Sequence, residues 1–228
     1  MVHPCDVKYK QAKKKTPKLV PFFPNTDQVR CQQACVKSVL KYFLPNREFS
    51  DTEIDEGTAQ TGGTTWFPPA AMFFDKAGLS VQLFYTSVQL DYEELAKRGT
   101  EYIRSTVSTE DFQIQEENGA FLAMSVVQEA AKKMLEKGIV KGEAIDIEDL
   151  RIMLDGPDAL AIGKTFQPWL SGIHERRSAH YVVIIRSYNQ TSWRIHDPGP
   201  PPISDRKVAK KFEGEPMFSE VLIIARKK

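Results

Sequence analysis

The chain has 228 residues, 41% of them hydrophobic, and a formal net charge of +1: enough apolar material for one sizeable core, with no overall field to steer the protein onto nucleic acid or anionic lipid. Three cysteines cannot all pair within one chain and are too few for a disulfide scaffold, which points to a reducing compartment and a reactive thiol. No apolar run approaches the roughly 18 residues of a spanning helix and the first residues lack a signal peptide's apolar core, so a soluble cytoplasmic protein is expected, signal-independent export being compatible with the same pattern.

Residues 1–18 carry Lys8, Lys10, Lys13, Lys14, Lys15 and Lys18 among few apolar residues and read as a basic flexible arm, too polar to fold alone. One domain is expected from 19 to 228. Leu19 to Pro24 is apolar and Pro-bounded, an extended strand or loop. From Gln32 to Phe43, Cys35, Val39 and Tyr42 recur at helical spacing, Val36, Leu40 and Phe43 widen the stripe, and Lys37 and Lys41 face away; this is a half-buried helix that stops near Pro45. Ser50-Asp51-Thr52-Glu53 is a capping-box pattern that starts a short helix. A loop at Gly62 to Trp66 precedes a helix from about Pro68 to Lys76, ended by Gly78.

Val81 to Phe84 suggests a short strand, and residues from about 91 to 138 read as mostly helical, with Ala120 to Lys137 the clearest helix. A further helix, Ile147 to Leu154, precedes a buried strand at Ala159 to Ile162. The last third is β-rich: His180 to Ile185 and Trp193 to Asp197, joined through Asn189 to Ser192, then a Pro-rich loop from Pro198 to Pro202 and a last strand from Glu220 to Ala225. Helices first and strands afterwards describe an α+β protein of two lobes with a cleft between them.

Cys31 opens the first long helix. A thiol attacks as its thiolate, which the positive end of a helix and a neighbouring imidazolium both favour. His180 heads an apolar strand, a position that costs desolvation unless the ring is hydrogen-bonded. It would take the thiol proton and return it to a leaving group, with Asp197 orienting the ring. The hairpin turn brings 180 and 197 to the same end. His174 sits among charged residues and suits the surface, while strand alternation turns His196 away from Asp197. Cys35, one turn after Cys31, lies on the apolar stripe and reads as packing. Cys31, His180 and Asp197 lack any local metal-ligand spacing; neither a metal nor a cofactor is implied.

These residues resemble a known family. The run Pro21 to Cys35, containing Cys31-Gln32-Gln33-Ala34-Cys35, is similar to the nucleophile motif of papain-like cysteine peptidases of the bacteriocin-processing, double-glycine leader type. Ala179-His180-Tyr181-Val182-Val183-Ile184 and Ile195-His196-Asp197-Pro198 are similar to that family's histidine strand and aspartate-proline turn. Weaker matches are Gly63-Thr64-Thr65-Trp66, Ala77-Gly78-Leu79 and Ile147-Glu148-Asp149-Leu150. The resemblance runs from about residue 19 to the C-terminus, around an unmatched helical insertion near 91–140. It implies a papain-like two-lobe fold, with an N-terminal helical lobe starting at the Cys helix and a C-terminal antiparallel β lobe.

It also implies the catalytic set Cys31, His180 and Asp197, acting on a peptide or protein substrate through an acyl-thioester. The family's oxyanion glutamine, six residues ahead of the cysteine, falls here on Asn25, and Gln28 is the rival donor; the family's Gly-Pro is Gln32-Gln33. Trp66 and the adjoining loop would line the substrate cleft or pack beside Pro68. Peptide cleavage, deamidation and acyl transfer share this machinery. The alternative is a catalytically degenerate peptidase-like domain that acts as a binding or regulatory module.

Overall fold

The first helix, α1 (Cys31–Phe43), forms where the apolar stripe predicts it and buries Cys35, Val36, Val39, Leu40 and Phe43. Its outward lysines are paired, Lys37 with Asp51 and Lys41 with Glu48. Ser50 caps α2 (Asp51–Thr58) by accepting the Glu53 N–H at 3.1 Å, half of the predicted capping box. Prolines 68 and 69 occupy the first turn of α3 (Phe67–Lys76), where their missing N–H groups leave no helix bond unmade. The computed structural model describes residues 19–25, 27, 29–60, 65–85, 90–172 and 179–227; the proposed arm 1–18, with Cys5, and Gln28, Gly62 to Thr64 and His174 lie outside the described residues.

Strand β1 (Leu79–Tyr85) is longer than its apolar run suggests. Helices α4 (Tyr92–Arg98), α5 (Thr100–Thr106), α6 (Thr109–Glu117) and α7 (Met124–Glu136) follow. Asp91 and Ser108 cap α4 and α6 with their side chains. The last of the four helices starts at Met124 rather than at Ala120, because 119–123 form turns and the Ala120 carbonyl accepts the Trp66 indole N–H at 3.0 Å. A tertiary bond thus holds the backbone that periodicity alone would wind into helix. Strand β2 (Val140–Ala144) pairs parallel with β1, an element its Val-Lys-Gly-Glu-Ala sequence does not announce.

Helix α8 (Ile147–Leu154), capped by Asp146, leads to β3 (Ala159–Phe166) and the single turn α9 (Gln167–Leu170). Strands β4 (Ala179–Ser187), β5 (Ser192–Asp197), β6 (Ile203–Ala209) and β9 (Glu220–Arg226) complete the main sheet, and the short β7 (Lys211–Phe212) and β8 (Glu215–Pro216) pair with each other. Strand order is β2-β1-β9-β3-β4-β5-β6. Every pairing in it is antiparallel except β1 with β2. The molecule is α+β, and the sheet extends beyond the C-terminal third: β9 lies between β1 and β3, so a strand from the helical half joins the sheet through the last one.

Side-chain alternation gives that sheet two buried faces. Leu160, Ile162, Tyr181, Val183, Leu222 and Ile224 meet α1, α3 and α7 in the larger core. Ala161, Val182, Ile184, Val221 and Ile223 meet α8, Trp169 and Phe218 in the smaller one. Burial on both sides explains why these strands read as unbroken apolar runs.

Candidate active site

Cys31 is the first residue of α1 and is half-buried. Arg30 precedes it at the N-cap, and its backbone N–H donates to Asn25 Oδ1 at 3.1 Å. The Arg30 guanidinium pairs with Asp27 and Asp55, each at 3.0 Å. The sulfur therefore stands where first-turn N–H groups lack partners within the helix and the dipole is positive.

His180 and Asp197 come from adjacent antiparallel strands. Val183 lies opposite His196, so the next step of that pairing sets Val182 against Asp197, and His180, two residues earlier, shares Asp197's face of the sheet. His180 Nε2 meets Asp197 Oδ1 at 2.8 Å, with both residues buried. The same oxygen accepts the Gly199 N–H at 3.1 Å, and Oδ2 accepts from Arg206 Nη1 at 2.5 Å. Arg206 also donates, through Nη2, to the Leu170 carbonyl.

Burial opposes the charge on Asp197, but the hydrogen bond and charge of His180, the Gly199 N–H and Arg206 more than offset it, and its carboxyl lies below the usual range. For His180, burial again opposes the charged form; hydrogen bonds to Asp197 and to Cys31, with the charges of both, prevail and push it up to about 9. At neutral pH this favours the charged ring against the Asp197 carboxylate. With Nε2 engaged by Asp197, Nδ1 is the nitrogen left for Cys31.

Asn25 is buried, and its backbone N–H donates to the Pro198 carbonyl at 2.8 Å. That bond ties the leading segment to the turn after Asp197. With Oδ1 turned to Arg30, its Nδ2 has no hydrogen-bond partner among the described residues. A cavity of about 160 Å³ opens beside it, lined also by Arg30, Gln33, Lys37 and Asp55. Gln28, the rival donor, lies outside the described residues.

The remaining candidates take different places. Trp66 is in the larger core with its N–H held by Ala120, so the ring is placed for packing, with little of it free to meet a substrate. Cys35 is buried, and burial first, then the charges of Cys31 and Asp197, raise its thiol well above the ordinary value. His196 packs edge-on against Phe22, with ring centroids 5.4 Å apart, and burial pushes it down to about 4; it is neutral at pH 7. Gln32 is fully buried and neither of its amide atoms has a hydrogen-bond partner among the described residues. Arg206 was missed by sequence reasoning. It sits in the charged run Ser204-Asp205-Arg206-Lys207, where nothing sets it apart from its neighbours. Among the described residues, no group of three or more His, Cys, Asp or Glu side chains is arranged to hold a metal ion.

No family profile matches the chain, and no curated protein matches it. Similar folds occur among solved structures. The peptidase domain of Streptococcus ComA, a bi-functional ABC transporter involved in a quorum-sensing pathway, has 14% identity over 90% of this chain and 98% of that one, with a TM-score of 0.47. A double glycine motif protease from an AMS/PCAT transporter, in complex with its leader peptide, has 12% identity over 94% of this chain and 96% of that one, at 0.48. The peptidase domain of Streptococcus mutans ComA has 12% identity over 90% and 98%, at 0.39. No helix among the described residues is long and apolar enough to cross a membrane.

Proposed function

We propose that the protein is a cysteine hydrolase that cleaves a peptide or amide bond through Cys31, His180 and Asp197. The observation that carries this reading is the buried His180 ring, held by Asp197 at 2.8 Å, with Cys31, at the opening of α1, among the groups that favour its charged form. The Cys31 thiolate attacks the carbonyl carbon, and the imidazolium gives its Nδ1 proton to the departing amine, leaving an acyl-thioester. His180, now neutral, takes a proton from water, which attacks the thioester and releases the acid and the thiolate. Asn25 Nδ2 and the Cys31 backbone N–H are the donors for the developing oxyanion. Residues 19–228 act as one domain, the helices near 91–140 contribute to substrate choice, and a reducing cytoplasm keeps the thiol available.

A second reading, a peptidase-like binding module without turnover, is favoured by Gln32: a fully buried amide with no hydrogen-bond partner among the described residues, where the resembled family has glycine. Iodoacetamide separates the two. At pH 7 an activated Cys31 is alkylated in the folded protein while buried Cys35 is spared, and a peptide library yields cleavage that Cys31→Ala removes. Alkylation of Cys31 no faster than in the denatured chain, together with an untouched library, leaves the binding module as the answer.

A further inference from the structure

Arg206 stands on an edge strand, outside every motif the sequence offers, yet its guanidinium reaches the centre of the site. It lies opposite Ile195 in the β5/β6 ladder, on the face that Ile195 shares with Asp197. One arm donates to Asp197 Oδ2 at 2.5 Å and the other to the Leu170 carbonyl at the end of α9. Both carboxylate oxygens are thereby engaged, since Oδ1 already takes His180 Nε2 and the Gly199 N–H. Asp197 has no exposed surface, and a buried carboxylate is stable only with compensating charge and hydrogen bonds.

We infer that Arg206 is a positioning residue that keeps Asp197 ionised and correctly turned during the part of the reaction in which His180 carries no charge. The inference rests on the hydrolase reading for its role in turnover, though the electrostatic hold itself does not. When His180 hands its proton to the leaving amine, Asp197 loses one of its two cationic partners. Arg206 cannot be deprotonated, so it remains as counter-charge and prevents the carboxylate from taking a proton or rotating away from Nε2. Its second arm anchors the guanidinium on α9, so the acid is braced from outside the hairpin that bears it.

The test is an NMR titration of ¹⁵N-labelled His180 in the full chain, read beside Cys31 alkylation and peptide turnover. Arg206→Met removes the cation that shares Asp197's charge, so the His180 midpoint rises by about half a unit or more. In an Asp197→Asn background the same change moves it less than half as far, because Arg206 acts through Asp197. Arg206→Lys returns the midpoint toward that of the parent protein, and Arg206→Gln serves if the Met variant does not fold. Turnover falls roughly tenfold or more in Arg206→Met, the scale on which outer partners of a reacting group act. An unmoved midpoint in a folded Met or Gln variant, or equal shifts in both backgrounds, overturns the inference. A midpoint that moves as stated, in a protein whose Cys31 is inert and which cleaves nothing, upholds Arg206's hold on Asp197 and defeats the hydrolase reading instead.

Discussion

Two thiols four residues apart on α1 differ only in what surrounds them. Cys31 is half-buried beside an imidazolium, whereas Cys35 faces hydrocarbon. Cys31→Ala is expected to abolish turnover with the fold intact, and Cys35→Ala to keep most of the activity while lowering the urea midpoint through the small cavity it leaves; equal loss of kcat in the two would move the nucleophile. If Asn25 is an oxyanion donor, as proposed, Asn25→Ala should cost roughly 10²–10³ in kcat with a smaller change in KM. Asp197→Asn changes the partner of His180 without removing a reacting atom, so steady-state rates should fall but not vanish. At this scale the sequence marks Cys31, His180 and Asp197 by their neighbours, since a helix start and an apolar strand are local patterns. Trp66 shows where it stops: nothing in Thr65-Trp66-Phe67 tells that the indole N–H is taken by Ala120, 54 residues away.

Elements were legible where burial is one-sided or complete. α1, α2, α3 and α8, and the strands at 159, 180, 193 and 220, carry periodic or continuous apolar runs, and the side-chain caps of α2 and α8 are short-range. β2 and β6 are the two edges of the main sheet. Edge strands are half solvated and charged, which protects them from pairing with other chains and erases the alternation a reader would seek; β6, bearing Asp205, Arg206 and Lys207, is the clearer case. Gly163 shows the opposite pressure inside the sheet. A Cβ there would stand 2.7 Å from Phe218 Cδ1 and 2.9 Å from Ile184 Cδ1, and Phe218 is buried. Gly163→Ala should therefore lower stability by about 1–3 kcal/mol, as overpacking does, visible as a reduced urea midpoint with unchanged m-value.

For the molecule as a whole, two histidines shape stability against pH in opposite senses. His180, raised from 6.5 to about 9, stabilises the fold fully below about pH 6.5, and that contribution disappears as pH rises through about 9. His196, depressed to about 4 by burial, contributes fully above about pH 6.5 and loses its contribution as pH falls through about 4; Asp197, with its lowered carboxyl, adds to the acid loss below that. Urea midpoints from pH 4 to 10 should trace a dome, and His196→Phe, which keeps an aromatic against Phe22, should flatten its acid side. By itself the sequence determined the class of fold, most helices and central strands, and the types of residue available for chemistry, because propensity, capping and periodicity act over a few residues. Only the tertiary structure decided that β9 threads between β1 and β3, that Asn25 is tied to Pro198, and that Arg206 reaches Asp197. Those depend on contacts between segments far apart in the chain, whose free energy comes from burial and charge pairing that no local pattern records.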